Sequence, residues 1–226
     1  MKAHIIWDWN GTLLNDFHVS LSATNQALIG IGCLPLTPDE YRSNYSVPVH
    51  DFYYNVLGRT PTSEEWRKIG QIFNNIYKLE ILNALLADEG MELLQSRKHQ
   101  SICSLMEHNL LVRMLNNFQI SHLFLDVHGR IDPLSKEGKH KHLEQHVHNL
   151  LSKHSVTREE IVVIGDTEDD ANSAYSLGIP AILYSGGTYS YERLVNTGIP
   201  VAKTLKEAVY LADNIIKERN LCLKPL

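Results

Sequence analysis

Cysteine is scarce in this chain. Cys33, Cys103 and Cys222 are the only three in 226 residues, an odd number at wide spacing. That usage excludes a disulfide framework and fits a reducing compartment, so a cytoplasmic protein is expected. No apolar run approaches the roughly 18 residues that a membrane-spanning helix needs. Met1-Lys2-Ala3 leads straight into a strand-like run, so neither a signal peptide nor a membrane span is expected. Positive charge is not in excess. The net charge of −5 provides no footprint for nucleic acid or an acidic membrane. Internal repeats and low-complexity linkers are absent as well, and only the tail Cys222-Leu223-Lys224-Pro225-Leu226 looks dispensable. What remains is 43% hydrophobic and 21% charged residues, ordinary for a folded chain. The length suits one large domain, or one with a smaller insertion, as a monomer or homodimer.

The chain is organised around His4-Ile5-Ile6-Trp7-Asp8-Trp9-Asn10-Gly11-Thr12-Leu13-Leu14. The short run Ile5, Ile6, Trp7, stopped by Asn-Gly, predicts a buried strand. Asp8 then stands at its carboxyl end, where open α/β sheets place their ligand crevice. Gly11 permits a sharp turn whose N–H groups would face an anion. A carboxylate beside such a turn suits a nucleophile for phosphorus, provided a cation offsets the crowded charge. The plain alternative is a strand end closed by a turn.

Helical periodicity follows. Asn15 or Asp16 caps a helix carrying Val19, Leu21, Ala23, Ala27 and Leu28, closed by Gly30 and Gly32. Thr37 caps another with Pro38 in its first position. Pro48 opens a third, and Thr62 begins a long one through Ile69, Ile72, Phe73, Ile76 and Tyr77. No strand is expected between Leu14 and about Ser96, so residues 15–87 read as an all-helical insertion in an α/β chain. The core, residues 1–14 and 88–226, resumes with strands at 100–105 (ending on Ser104), 123–127, 161–164, 180–184 and 199–202. Helices over 110–118, 139–151, 171–177 and 205–217 separate or follow them, and Gly129 to Pro133 reads as a loop. Alternation of this kind predicts a doubly wound, Rossmann-like parallel sheet. Cys103 reads as a small core residue.

The segment Gly165-Asp166-Thr167-Glu168-Asp169-Asp170 crowds four acidic residues behind the 161–164 strand. They repel one another unless a cation is held there, and oxygen ligands beside a phosphate favour Mg²⁺. The plain alternative is an acidic helix start that complements the helix dipole. Nine of the twelve histidines fall between His99 and His154. His142 and His146, at i and i+4 with His140 near, form a conceivable surface transition-metal pair, but no Cys or carboxylate completes it.

Asp-x-Asn-Gly-Thr-Leu at Asp8, the later Ser104, a lysine and Gly-Asp-x-x-x-Asp at Gly165 resemble the haloacid dehalogenase superfamily over nearly the whole chain. The likeness is to its phosphoglycolate-phosphatase-like members. It implies an α/β core with a helical cap that closes over the nucleophile, excludes water and selects substrate. It also implies that Asp8 is the nucleophile and that Ser104 bonds a phosphoryl oxygen. Mg²⁺ would be held by Asp8, the Asn10 backbone carbonyl, Asp166 and Asp170, with Glu168 and Asp169 less firmly placed. The balancing lysine comes from Ser135-Lys136-Glu137-Gly138-Lys139-His140-Lys141; Lys139 is preferred at the helix start, Lys141 second. Trp9, Gly11, Thr12 and Leu105 complete the substrate-binding set.

The chain departs from the pattern at Asn10, where such phosphatases carry the Asp that protonates the leaving group and then activates water. An amide exchanges no proton there, and losing such help typically costs about 10²–10⁴ in rate. Three explanations stand: a substrate with a good leaving group such as an acyl phosphate, a proton from elsewhere (Glu107, His108 or a cap side chain), or a slow or binding-only protein. The expected function is a Mg²⁺-dependent phosphohydrolase of a small phosphorylated metabolite, through an aspartyl-phosphate on Asp8. The alternatives are a phosphotransferase or mutase on the same fold, and a phosphate-dependent binding protein.

Overall fold

His4–Trp7 forms strand β1, buried along its whole length, because four apolar or hydrogen-bonded side chains can only be covered from both faces of a sheet. The computed structural model describes residues 2–131 and 138–222. Lys136, the end of the expected loop at Asp132-Pro133, and the tail beyond Cys222 lie outside those residues.

After β1 the chain makes a two-residue strand, β2 (Leu14–Asn15), then four helices: α1 (Phe17–Gly30), α2 (Pro38–Asn44), α3 (Val49–Leu57) and α4 (Ser63–Glu80). Thr37 and Thr62 both complete capping boxes, with Glu40 and Glu65, as their spacing predicts. These helices enclose a core of their own around Phe17, Leu28, Tyr41, Phe52, Tyr53 and Ile69. The return strand β3 (Leu85–Leu86) pairs antiparallel with β2. This pairing corrects the expectation of no strand before Ser96. Two residues are too few to carry a period, so only the meeting of the two chain passages creates the pair.

The rest alternates: α5 (Gly90–Ser96), β4 (Gln100–Glu107), α6 (His108–Asn117), β5 (Val127–Arg130), α7 (Lys139–Lys153), β6 (Ile161–Gly165), α8 (Glu168–Ser176), β7 (Ala181–Tyr184), α9 (Tyr191–Val195), β8 (Val201–Ala202) and α10 (Leu205–Cys222). Six strands line up as β5-β4-β1-β6-β7-β8, all parallel. Ile5 and Trp7 face one hydrophobic layer with Leu111, Leu115, Ala208 and Ala212; Ile6 faces the other with Leu143, Val147, Ala171 and Ala174. Helices thus cover both faces, and the fold is the expected doubly wound α/β sheet with a helical insertion.

Three boundaries differ from expectation. β5 begins at Val127, not Leu123, which sits in a 3₁₀ turn (Ser121–Leu123), and Gly129 and Arg130 belong to the strand rather than a loop. Gly129 fits there because a Cβ would lie 2.7 Å from the His108 Cα; close approach to α6, not chain reversal, explains this glycine. β4 continues past Ser104 to Glu107, with a register shift against β5 between Cys103 and Glu107. α8 starts at Glu168 rather than Ala171, because Thr167 and Asp170 form a capping box. Cys103 is fully buried in the second layer, a core residue as expected.

His4 and His146 are buried on either side of Ser101, whose hydroxyl lies 3.0 Å from His4 Nε2 and 2.8 Å from His146 Nε2. Burial lowers the His4 pKa to about 4 and holds His146 well below the ordinary histidine value. Both are neutral when folded, whereas the unfolded chain binds their protons below about pH 6.5. Stability is therefore full above that pH and falls as pH drops toward 4, by up to about 1.4 kcal/mol per unit for each group. Denaturant midpoints from pH 7 to 5 should fall, and His4→Gln should flatten that slope; an unchanged slope in the variant would refute the assignment.

Candidate active site

Because β1 ends at Trp7, Asp8 emerges at the carboxyl end of the central strand, its N–H bonded to the Ile164 carbonyl at 2.9 Å. The adjacent strand β6 delivers Asp166 one residue past its end, and the first turn of α8 adds Asp170. One carboxylate oxygen from each of Asp8, Asp166 and Asp170 lies within 4.8 Å of the others, and all three residues are buried. Lys139, the first residue of α7, is buried with them. Its Nζ donates to Asp8 Oδ1 and, at 2.7 Å, to the Cys103 carbonyl, and lies 2.9 Å from Asp170 Oδ1. Lys141 is exposed, two residues and about 200° further round the helix. The structure therefore brings Lys139 to the carboxylates and leaves Lys141 on the outer face of α7.

Burial pushes the Asp8 carboxyl up to about 7, with Lys139 pulling against it and Asp170 adding to it. Burial, then Asp8 and Asp170, hold Asp166 well above the usual carboxylate range. Burial also works against the Lys139 charge, but Asp170 and Asp8 outweigh it and keep the ammonium well above its ordinary pKa. Three carboxylates facing one ammonium leave negative charge that only protons or a cation can offset. An all-oxygen donor set of this kind fits a hard divalent ion such as Mg²⁺.

The acidic segment also does structural work. Asp170 Oδ2 accepts the Thr167 N–H at 3.2 Å and its hydroxyl at 2.7 Å. Asp169 accepts the Lys139 backbone N–H, fixing the start of α7, and Glu168 lies 3.6 Å from Arg193 Nε. Helix capping and charge crowding are thus both present, on different oxygens. Asp166 Oδ2 accepts the Thr188 N–H at 2.8 Å. Gly11 has φ +71°, and a Cβ there would overlap the Asp166 carboxylate; conformation and space both require glycine.

The turn after Asp8 differs from expectation. The Gly11 N–H does not face an open anion site: it donates to Asp16 Oδ1 at 2.8 Å and Leu14 O at 3.0 Å. The Thr12 N–H donates to Trp9 O at 3.3 Å, and the Thr12 side chain is buried. The Trp9 indole lies in the core, edge-on to Phe118 at 6.2 Å, with its ring N–H unpartnered among the described residues; the Trp9 backbone N–H bonds Asp8. The Gly11, Thr12 and Leu14 N–H groups are thus engaged inside the turn, and the buried Trp9 and Thr12 side chains shape the surroundings of Asp8. Ser104 is buried at the β4 irregularity, and its Oγ accepts the Met106 N–H at 3.1 Å; Leu105, beside it, is half-buried.

Asn10 shows contacts that sequence reasoning missed. Its Nδ2 donates to Asp16 Oδ2 at 2.8 Å and to the Tyr77 hydroxyl at 2.7 Å, and that hydroxyl donates to Asp16 Oδ2 at 2.8 Å. Asp16 reads as a helix cap and does precede α1, but makes no side-chain cap bond; burial raises its pKa. Tyr77 reads as one apolar position of α4. Neither leaves a local signal of this role. A second contact of the insertion with the core runs through Arg193, which donates to Tyr45 O at 2.7 Å and stacks on Tyr189, itself 5.7 Å from the Tyr45 ring. His108 accepts the Gly129 N–H through Nδ1 at 3.3 Å, and Glu107 precedes α6 as its cap residue. Of the four α7 histidines, the three considered as metal ligands do not share a site: His140 turns to Ser176 at 2.7 Å, His146 is buried against Ser101, and His142 is buried too. Among the described residues the aspartates are the only trio placed to share an ion, and no helix is long and apolar enough to cross a membrane.

No curated protein matches the chain in sequence. Among solved structures it is similar to a haloacid dehalogenase-like family hydrolase from Streptococcus pneumoniae, with 20% identity, TM-score 0.76, and 93% of this chain and 98% of that one covered. A predicted phosphatase from Clostridium acetobutylicum matches with 16% identity, TM-score 0.78, and coverage of 96% and 99%. A predicted phosphoglycolate phosphatase from Haemophilus somnus matches with 18% identity, TM-score 0.68, and coverage of 96% and 98%. At such identities the likeness is one of fold. The family model for haloacid dehalogenase-like hydrolases matches residues 5–184, which span β1 with Asp8, Lys139 and the aspartates that follow β6. The chain belongs to the haloacid dehalogenase-like hydrolase family.

Proposed function

We propose that the protein is a Mg²⁺-dependent phosphohydrolase of a small phosphorylated metabolite, with residues 15–87 as a cap over a core of 1–14 and 88–226. The observation that carries this reading is the buried meeting of Asp8, Asp166 and Asp170 around Lys139 at the carboxyl end of β1 and β6. Asp8, Asp166, Asp170 and the Asn10 backbone carbonyl would hold the cation, which supplies charge neutralisation for phosphate beside carboxylates.

Asp8 attacks phosphorus in line. Its oxygen bonds to phosphorus as the bond to the leaving group breaks, and the leaving group keeps the electron pair. Water then attacks the aspartyl-phosphate, and the Asp8–phosphorus bond breaks to return the carboxylate and free phosphate. Lys139 and Ser104 balance and orient the phosphoryl oxygens, the electrostatic contribution that dominates phosphoryl transfer. Tyr77 reaches Asn10 from the insertion, so the cap would set the surroundings of Asp8 and keep water out when docked.

Mg²⁺-dependent phosphate release, assayed on freshly prepared protein with intact Asn10 verified by mass, should be abolished by Asp8→Asn, a loss of at least about 10⁴-fold for removal of the nucleophile. Unchanged turnover in that variant would sink the mechanism. Mg²⁺ should also raise the thermal midpoint of the wild type, by an amount that follows RT ln(1 + [L]/Kd), and Asp166→Asn should remove the rise. An equal rise in both proteins would place the ion elsewhere.

A further inference from the structure

Both hydrogens of the Asn10 amide are engaged. Nδ2 donates to Asp16 Oδ2 and to the Tyr77 hydroxyl. The partners fix which atom is nitrogen. Asp16 already accepts the Gly11 N–H and the Tyr77 hydroxyl, both at 2.8 Å. Tyr77 gives its one hydrogen to Asp16, so each has only acceptor capacity left for Asn10. What remains to the amide is its carbonyl oxygen. Both partners in this lock belong to the insertion: Asp16 is buried just before α1 and makes no side-chain cap bond, and Tyr77 comes from α4.

An acceptor at this place, two residues after the nucleophile, serves one half of a phosphatase cycle and not the other. A departing alkoxide needs a proton, and neither the carbonyl oxygen nor the engaged N–H groups supplies one. An attacking water carries hydrogens, and a fixed carbonyl oxygen can orient one of them. We infer that Asp16 and Tyr77 are positioning residues that hold Asn10 as an acceptor-only group, and that the site's substrates are phosphoryl donors whose leaving group departs as a stable anion, acyl phosphates first among them. This rests on the phosphohydrolase reading above. With an acyl phosphate, the Asp8–phosphorus bond forms while the phosphorus–oxygen bond to the acyl group breaks, and the pair leaves on a carboxylate that needs no proton. Water then bonds to phosphorus as the Asp8 oxygen is released, and its proton passes to a phosphate oxygen.

The test compares acetyl phosphate with glycerol 3-phosphate in wild type, Tyr77→Phe, Asp16→Asn and Asn10→Asp. Wild type should favour acetyl phosphate in kcat/KM by at least about 10²-fold, the lower end of what a missing general acid costs, and Asn10→Asp should narrow that gap at least tenfold. Tyr77→Phe should lower steady-state turnover of acetyl phosphate about tenfold while keeping a full first-turnover burst of acetate, because only the water step uses the lock. Asp16→Asn tests the same lock through its other member if Tyr77→Phe proves unstable. Burst and turnover falling together in both variants would reduce Asp16 and Tyr77 to structural parts and overturn the positioning role. Comparable wild-type rates on the two donors would overturn the substrate class while leaving the phosphohydrolase reading intact. No release from either donor would overturn that reading and this inference with it.

Discussion

Lys139 placed between Asp8 and Asp170 is the interaction on which the rest of the site depends. Three buried carboxylates without a cation among them would drive protons onto themselves or push the strand ends apart. The ammonium lets Asp8 and Asp170 stand close at the mouth of the sheet, and it is anchored from behind by the Cys103 carbonyl. Its helix is anchored as well, since Asp169 takes the Lys139 backbone N–H. The acidic segment that crowds the site therefore also fixes the start of the helix that relieves the crowding. The residual negative charge makes a divalent ion and a phosphate a natural pair of occupants, because each offsets what the other and the protein leave over.

Around that centre, space is kept small by glycine. Side chains at Gly11 and Gly187 would overlap Asp166, and one at Gly165 would overlap Asp170. Within the turn after β1 the Gly11, Thr12 and Leu14 N–H groups bond turn carbonyls, and the Gly11 N–H is shared with Asp16. Such bonds hold Asp8 in a rigid setting beside Lys139 and the β6 aspartates.

The helical insertion meets the core through polar and apolar contacts. Tyr77 reaches Asn10 beside Asp8, and the Tyr45 carbonyl takes Arg193 from α9. The insertion has a hydrophobic core of its own, but Val19 and Tyr77 also pack against one sheet layer and Tyr45 against the other. Polar contacts across such a seam exchange for water at little net cost, so the apolar packing holds the insertion to the sheet while the polar contacts set the side-chain geometry of Asn10.

Much of this was legible in the sequence. Periodicity placed the helices and the buried strands. The order of Asp8, Ser104, Lys139, Asp166 and Asp170 among them already put these residues at the same edge of a parallel sheet, because strand ends in such a sheet are forced together by topology. The preference for Lys139 over Lys141 followed from the family resemblance together with Gly138 and the expected helix start. Other features needed the tertiary structure. The β2–β3 pair is too short for a period, the extent of β4 and β5 depends on their mutual register, and Gly129 answers to a neighbouring helix. Asp16 and Tyr77 stand 61 residues apart, and a hydrogen bond over that separation leaves no trace in local composition. Local physics determined which segments fold and which of their ends carry charge. Only packing decided which polar atoms were left with hydrogens to offer.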